Sequence, residues 1–364
     1  MLVTLIVIVV VYIGAFIYMQ QPKFGKAATG ERLERMKNSP NYKDGKFQNQ
    51  HHTPAITEGY SYVTIITEFL FKKIDGRIPA VTIPSMKTDL LNLVPDQDIL
   101  VWFGHSSYFM QLDGKRILVD PVFSGNASPL AGSNKAFKGT DRYTVNDLPD
   151  IDYLFISHDH YDHADYETLI QLTSKVKKVI CGLGVGAHLE HWGFAQNNII
   201  EKDWNEQIEL DNGFVVYTTT ARHFSGRGFT RNNTLWLAFL FQTPTKKIYI
   251  GGDSGYDTHF AEIGNKYGPI DLAILENGQY DIKWKYIHML PIEVLQAGKD
   301  LKAKRVFPVH SSKFAMANHA WYEPLTRVTQ LNKSMHVPLV TPIIGEVVNL
   351  EDENQQFKQW WVGK

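Results

Sequence analysis

The stretch Ile151-Asp152-Tyr153-Leu154-Phe155-Ile156-Ser157-His158-Asp159-His160-Tyr161-Asp162-His163 decides how this chain is read. Its first half is almost continuously apolar, aromatic or β-branched, the mark of a buried strand. The strand runs directly into a cluster of metal-ligand residue types. His158 and His160 stand two apart, so in an extended segment their side chains point the same way. Asp162 and His163 follow on a turn into the next helix, where they can reach a second ion. Neutral imidazole and carboxylate suit Zn²⁺ when thiolates are absent. The plain alternative is a histidine-rich surface loop, and the buried strand just ahead of the cluster argues against it.

Other strand-like runs end in the same manner. FVVYTTTARH closes on His223, KIYIGGD on Asp253 and RVFPVH on His310. In open α/β sheets the carboxyl ends of strands are where binding sites form. Each residue has a bland reading by itself: His223 as a lone histidine, Asp253 as turn chemistry, His310 as a cap or core residue. Their shared position at strand ends lifts all three. ILVWFGH, YFMQL, RILVD, KVIC, LWLAFLFQT and LAILENG also read as strands, with Asp113-Gly114 a hairpin signal. YETLIQLTSKV and PIEVLQAGKDL read as helices, which makes the whole an α/β domain.

The bulk properties set limits. The chain has 364 residues, 44% of them hydrophobic, enough for one large domain or two ordinary ones. A formal net charge of -1 gives no reason to expect a nucleic-acid partner. Cys181 is the single cysteine, so no intrachain disulfide forms, and it reads as inert core. Gly182-Leu183-Gly184-Val185-Gly186 lacks a P-loop's Lys-Ser/Thr and reads as a turn.

The N-terminus differs from the rest. Leu2 to Met19 carries no charge, and as a helix it would be about 27 Å long, near the ~30 Å hydrocarbon core of a bilayer. No Lys or Arg precedes the run and no small-x-small site follows it, so a retained membrane anchor is preferred to a cleaved signal peptide. Lys23, Lys26, Arg32, Arg35 and Lys37 follow closely, and the positive-inside bias then places the catalytic domain in the cytoplasm. The expected division is an anchor or signal-like helix over 1–21, an arm packed on the main domain over 22–95, and the domain that carries the ligand-type cluster over 96–364. Within the arm, His51 and His52 read as a solvated pair, and Tyr60 to Phe71 as a helix apolar enough to pack.

The order HxHxDH, His, Asp, His resembles the metallo-β-lactamase superfamily. WFGHSSYFMQLDGKRILVDPVFS, LPDIDYLFISHDHYDHADY, GGDSGYDTHFAEIGNKYGPIDLAIL and VHSSKFAMA further resemble N-acyl-phosphatidylethanolamine-hydrolysing phospholipase D and its bacterial relatives. The likeness runs from about Lys23 to Gly345. HxHxDH is specific only to the superfamily, whereas DPVFS and the GDSGY-to-GPIDLA stretch are specific to the narrower group.

That resemblance implies an αβ/βα four-layer sandwich, here preceded by the membrane helix, and two Zn²⁺ ions per chain. His158, His160 and His223 would hold the first ion and Asp162, His163 and His310 the second, with Asp253 bridging them. Asp120 would orient a ligating imidazole, with a turn-capping role left open. His288 in KYIHMLP would stand near the substrate, and His105 would support the early sheet. His188 and His191 read as packing. The implied chemistry is attack by a metal-bridging hydroxide on an N-acyl-phosphatidylethanolamine-like lipid. The implied partners are a phospholipid substrate and the membrane, and a homodimer is left open. SGNASPLAG lacks the basic residue of the mammalian pattern, and LENGQY and VHSSKF also differ, so substrate identity is the open point. Two rival readings are a lactonase or carboxylic esterase on the same fold and a non-catalytic, membrane-tethered binding protein. The complete ligand set argues against the latter.

Overall fold

The computed structural model describes residues 2–130, 132–211 and 213–363, with side chains from Thr4 onward. Residues 1 and 364, the expected outer bounds of the first and last segments, lie outside the described residues. The N-terminal part holds α1 (Leu2–Met19), α2 (Gly30–Lys37), the short strands β1 (Tyr42–Lys43) and β2 (Lys46–Phe47), and α3 (Tyr62–Phe71). Next come β3 (Ile99–Trp102), β4 (Tyr108–Leu112), β5 (Lys115–Val119), β6 (Ile151–Ile156), α4 (Tyr166–Leu172), β7 (Val176–Gly182), α5 (Val185–His191) and β8 (Ile199–Lys202). The second half has β9 (Gln207–Glu209), β10 (Val215–Thr219), β11 (Ala238–Gln242), β12 (Lys247–Ile250), α6 (His259–Tyr267) and β13 (Ile270–Glu276). It closes with α7 (Pro291–Asp300), β14 (Ala303–Val309), α8 (Glu323–Met335) and β15 (Val347–Asn349).

The strands form two mixed sheets of related design. One has the order β15-β3-β4-β5-β6-β7-β8, antiparallel from β15 to β5 and parallel from β5 to β8. The other has the order β14-β13-β12-β11-β10-β9, parallel from β14 to β12 and antiparallel beyond. The parallel parts need crossovers; α4 to α7 supply four of them on the outer faces, and the loop between Val119 and Ile151 supplies the one from β5 to β6.

Residue alternation along the strands makes the layers. Tyr153 and Phe155 of β6 join the core between the sheets, while Leu154 and Ile156 join a second core with Leu169, Leu172, Val185 and Leu189 of α4 and α5. On the inner side Phe155 packs edge-on against Phe239 at 5.1 Å, and Trp102 against Phe307 at 5.7 Å, so the sheets interlock through aromatic pairs. Each such buried side chain contributes about 1.5–3 kcal/mol. The outer face of the second sheet is covered by α7, with α6 and α8 beside it. This is the mixed α/β metallo-β-lactamase architecture that the resemblance implied.

The expected N-terminal membrane anchor is corrected. Among the described residues no helix is long and apolar enough to cross a membrane. α1 does form, over Leu2–Met19, and is exposed from Thr4 to Ile17. Without a span, the basic residues after it have no membrane side to select, and the cytoplasmic placement drawn from them falls too. The end of α1 is tied to the rest of the chain. Tyr18 Oη donates to the Pro129 carbonyl at 2.7 Å, and the buried Arg227 donates twice to the Lys23 carbonyl, at 2.7 and 2.9 Å.

The segment after α1 is stitched to the folded body through polar contacts. Arg32 pairs with Glu190 and Glu201 at 2.7 and 2.6 Å, and Lys26 N–H donates to His188 Nδ1 at 2.8 Å. α3 is a helix as its pattern suggested, yet none of its residues is fully buried. It is held by the buried Lys283, whose ammonium meets Glu68 at 3.1 Å and Asp281 at 2.9 Å.

Candidate metal centre

The ends of β5, β6, β12 and β14, and the loop after β10, converge on one point between the two sheets. Asp120 follows β5, His158 follows β6, Asp253 follows β12 and His310 follows β14. The approach of β12 to β6 depends on Gly252, which has φ 58°. A Cβ there would lie 2.8 Å from Ser157 Cβ and 3.0 Å from the Leu237 carbonyl oxygen.

Three non-glycine residues at this point are left-handed: His105 at φ 54°, Asp120 at 40° and His310 at 65°. Each such conformation costs on the order of 1–3 kcal/mol and persists where neighbours over-determine it. Here His105 N–H donates to the Ser311 carbonyl and His310 N–H donates to the His105 carbonyl, both at 3.0 Å.

The side chains fall into two sets. In the first, His160 Nδ1 lies 2.8 Å from His158 Nε2 and 3.3 Å from His223 Nε2. The second gathers Asp162, His163 and His310, with His105 beside them. Asp253 stands between the sets. Its Oδ2 is 3.2 Å from His163 Nε2, 3.7 Å from His223 Nε2 and 3.9 Å from His158 Nε2, and its Oδ1 is 3.1 Å from His310 Nδ1.

A further shell aims these rings. His163 Nδ1–H donates to Asp120 Oδ2 at 2.8 Å, which turns Nε2 inward. Asp120 is itself held by Ser157, whose N–H and Oγ donate at 2.8 and 2.6 Å. His223 Nδ1–H donates to the Ile287 carbonyl at 2.9 Å. Ser106 Oγ meets His310 Nδ1 at 2.9 Å, and His105 Nε2 meets Asp162 Oδ2 at 2.9 Å.

The electrostatics favour a bound cation. Burial holds His158, His223 and His310 well below the usual histidine range, so they are neutral with lone pairs to give. Burial opposes the charge on Asp253, but His163 and His310 keep it ionised, well below the usual carboxylate range. Burial also opposes a charge on His163, yet Asp253, Asp162 and Asp120 drive it well above its ordinary value. That excess of negative charge is what a metal ion would neutralise. His163 Nε2 and Asp253 Oδ1 are buried and make no hydrogen bond, an arrangement that is costly unless something else binds them. The residues therefore fit metal ions.

A cleft of about 440 Å³ opens over this centre. His160, Asp162, His223, Asp253, His288 and His310 line its polar part. Ile56, Tyr62 and Ile65 from the N-terminal segment, with Phe224, Trp284 and Met316, form apolar wall. Among the described residues Arg231 is the one Lys or Arg lining it, stacked 4.8 Å over the Phe224 ring. His288 Nδ1 lies 2.7 Å from Glu276 Oε2, whose other oxygen accepts from Met289 N–H at 2.6 Å. Burial pushes Glu276 up to about 7, and against the same burial the pairing with Glu276 and the field of Asp253 lift His288 to about 9. A larger surface cavity, about 660 Å³, lies beneath Arg32 and Arg35. It contains none of these residues and is spanned by the arm's own ion pairs.

The seven residues expected to hold metal are thus brought together, Asp120 stands behind His163, and His288 lies in the cleft. His188 instead faces Lys26 N–H and Asp159, and His51 pairs with Asp257 at 2.8 Å on the surface. Glu276 and Asn49, which contact His288 and His223, escaped the sequence reading. For Glu276 the signal was present, an acidic residue closing the strand LAILE just as Asp253 follows KIYI. Asn49 carried none.

A β-lactamase superfamily domain matches residues 115–311, more than half of the chain. The chain belongs to the β-lactamase superfamily. An uncharacterised protein of Mycobacterium tuberculosis is 36% identical over 329 residues, covering 89% of this chain and 87% of that one. An N-acyl-phosphatidylethanolamine-hydrolysing phospholipase D of Caenorhabditis elegans is 29% identical over 273 residues, 69% of this chain and 75% of the worm protein. Among solved structures, a metallo-hydrolase of Ignicoccus hospitalis matches with TM-score 0.53 at 23% identity, covering 69% of this chain and 97% of its own. That match speaks for the fold. The matched stretch contains every residue of both candidate ligand sets. Asn49 and α3, whose Tyr62 and Ile65 line the cleft, lie outside it.

Proposed function

We propose that the chain is a dinuclear zinc phosphodiesterase of the phospholipase D type, acting on N-acyl-phosphatidylethanolamine-like lipids. The observation that carries this reading is the position of Asp253 between two ligand sets on the floor of an apolar-walled cleft. In this reading His158, His160 and His223 hold one ion, Asp162, His163 and His310 hold the other, and Asp253 serves both. Imidazole and carboxylate without thiolate suit Zn²⁺. Zinc at such a site supplies an activated water and stabilises charge developing on oxygen.

The chain's own groups then have distinct tasks. Asp120 fixes the tautomer and angle of His163. Arg231 at the cleft rim meets the anionic phosphate side of the substrate. His288, anchored by Glu276, holds a proton for the departing head-group oxygen. Ile56, Tyr62 and Ile65 receive acyl chain, each buried methylene contributing about 0.8 kcal/mol. Residues 96–363 carry the chemistry in this reading, and the arm from 22 to 95 supplies one wall. The likeness to the Caenorhabditis elegans phospholipase D supports a phosphodiester lipid.

The test is hydrolysis by zinc-loaded, detergent-solubilised full-length protein, with products identified by mass. Phosphatidic acid and an N-acylethanolamine are the expected pair. Turnover of lactones or simple esters with no cleavage of any phosphodiester lipid would replace this assignment with an esterase or lactonase on the same centre.

A further inference from the structure

We infer that Asn49, in the N-terminal arm, is a positioning residue for the metal ligand His223. The inference rests on the reading of His158, His160 and His223 as a zinc-holding set. Its basis is a pair of hydrogen bonds to the backbone of one residue. Asn49 Nδ2 donates to the His223 carbonyl at 2.7 Å, and His223 N–H donates to Asn49 Oδ1 at 3.1 Å. Pairing of β10 with β11 ends at Thr219 and Ala238, so His223 lies beyond the reach of that ladder. A buried backbone N–H and carbonyl left without partners are costly. The Asn49 amide satisfies both and mimics the strand that is missing there.

The imidazole is held separately, by Nδ1–H donating to Ile287. Backbone and ring are thus fixed from two sides, and Nε2 is left facing His160 Nδ1 at 3.3 Å. The neighbours of Asn49 lie along the same loop. Gln50 Nε2 donates to Thr220 Oγ1 at 3.1 Å, and Arg222 donates to Thr53 Oγ1 at 2.9 Å and to the His52 carbonyl at 2.6 Å. His223 is the only one of the seven ligand-type residues whose backbone an arm side chain clamps in this way among the described residues. Loss of Asn49 frees that peptide to rotate, and partners that orient a ligand are worth about 10- to 100-fold in metal affinity.

The experiment measures zinc affinity at each site by competition with a chromophoric chelator, and the visible spectrum of the cobalt-substituted protein. It uses the full chain as wild type, Asn49→Ala, Asn49→Asp, Gln50→Ala and His158→Ala. Asn49→Ala should weaken one zinc about 10- to 100-fold, leave the other unchanged and keep the wild-type circular dichroism. Asn49→Asp keeps the acceptor for His223 N–H and should fall between wild type and alanine. Gln50→Ala should bind as wild type. If Asn49→Ala binds both ions as tightly as wild type while His158→Ala loses one, the inference is overturned and the metal assignment stands. If His158→Ala also binds both in full, the underlying reading is wrong. Should Asn49→Ala fail to fold, wild-type affinities in Asn49→Asp overturn the inference equally.

Discussion

Asp253 is crowded by imidazoles on every side, and a carboxylate so placed can serve two ions at once. Asp253→Ala should therefore lower metal content and turnover together, read by elemental analysis of the purified protein and by the lipid assay. Full turnover in a metal-depleted variant would remove the mechanism. Asp120 orients His163 directly and also holds Ser157, so Asp120→Ala should keep part of the metal and bind it about 10- to 100-fold more weakly. His259, away from the metal centre, makes its own contribution to acid stability. Burial pushes His259 down from 6.5 to about 4. As pH falls from about 6.5 to about 4 the unfolded chain takes up a proton that the folded chain refuses, so stability is lost across that window, by about 3 kcal/mol in all. In denaturant titrations at pH 7 and pH 4, His259→Asn should lose less stability than wild type by that order. At this scale the ligands were legible because His158, His160, Asp162 and His163 are close in sequence and follow an apolar strand. Asn49 was not, because its role is a contact with a residue far along the chain; Glu276 carried a strand-end signal, but its partner His288 sits in a loop whose path the sequence does not fix.

α3 is the element whose role depends most on its surroundings. Its sequence, YVTIITEFLF, reads as a helix that packs. Instead Val63 is 71% exposed and Leu70 66% exposed, while Tyr62 and Ile65 border the cleft and Glu68 meets Lys283. If this wall receives acyl chain, Ile65→Asp should raise KM for a long-chain lipid substantially and for a short-chain analogue little, with kcat nearly unchanged. Equal effects on both substrates would assign α3 a merely structural part. The strands behave differently. Phe155 is fully buried between β6 and β11, and Phe155→Ala should cost about 3–5 kcal/mol in denaturant unfolding without altering the ligand geometry directly. The strands that end at ligands were readable from their apolar runs. Ile199–Lys202, Gln207–Glu209 and Val347–Asn349 were not, since edge strands this short have too few residues to show a period.

For the molecule as a whole, metal and fold are linked, because the two sheets contribute different members of one ligand cluster. Ions that bind only the folded chain stabilise it by about 2.7 kcal/mol at a hundredfold excess over Kd. Zinc-loaded protein should melt at a higher temperature than chelator-treated protein, and re-addition of zinc should restore the difference. An unchanged melting temperature would mean that the cluster holds no tightly bound ion. The sequence by itself determined the α/β class and, through the resemblance its motifs carry, the superfamily, and it picked out seven candidate ligands, since these rest on local patterns: apolar runs, a turn, and residue types at fixed spacing. It could not decide the reach of the N-terminal run: among the described residues no helix is long and apolar enough to cross a membrane. Nor could it place Asn49 on the backbone of His223, Glu276 on His288, or α3 beside the cleft. Those are long-range contacts, set by how two sheets and an arm pack together, and spacing along a chain carries no record of them until the chain has folded.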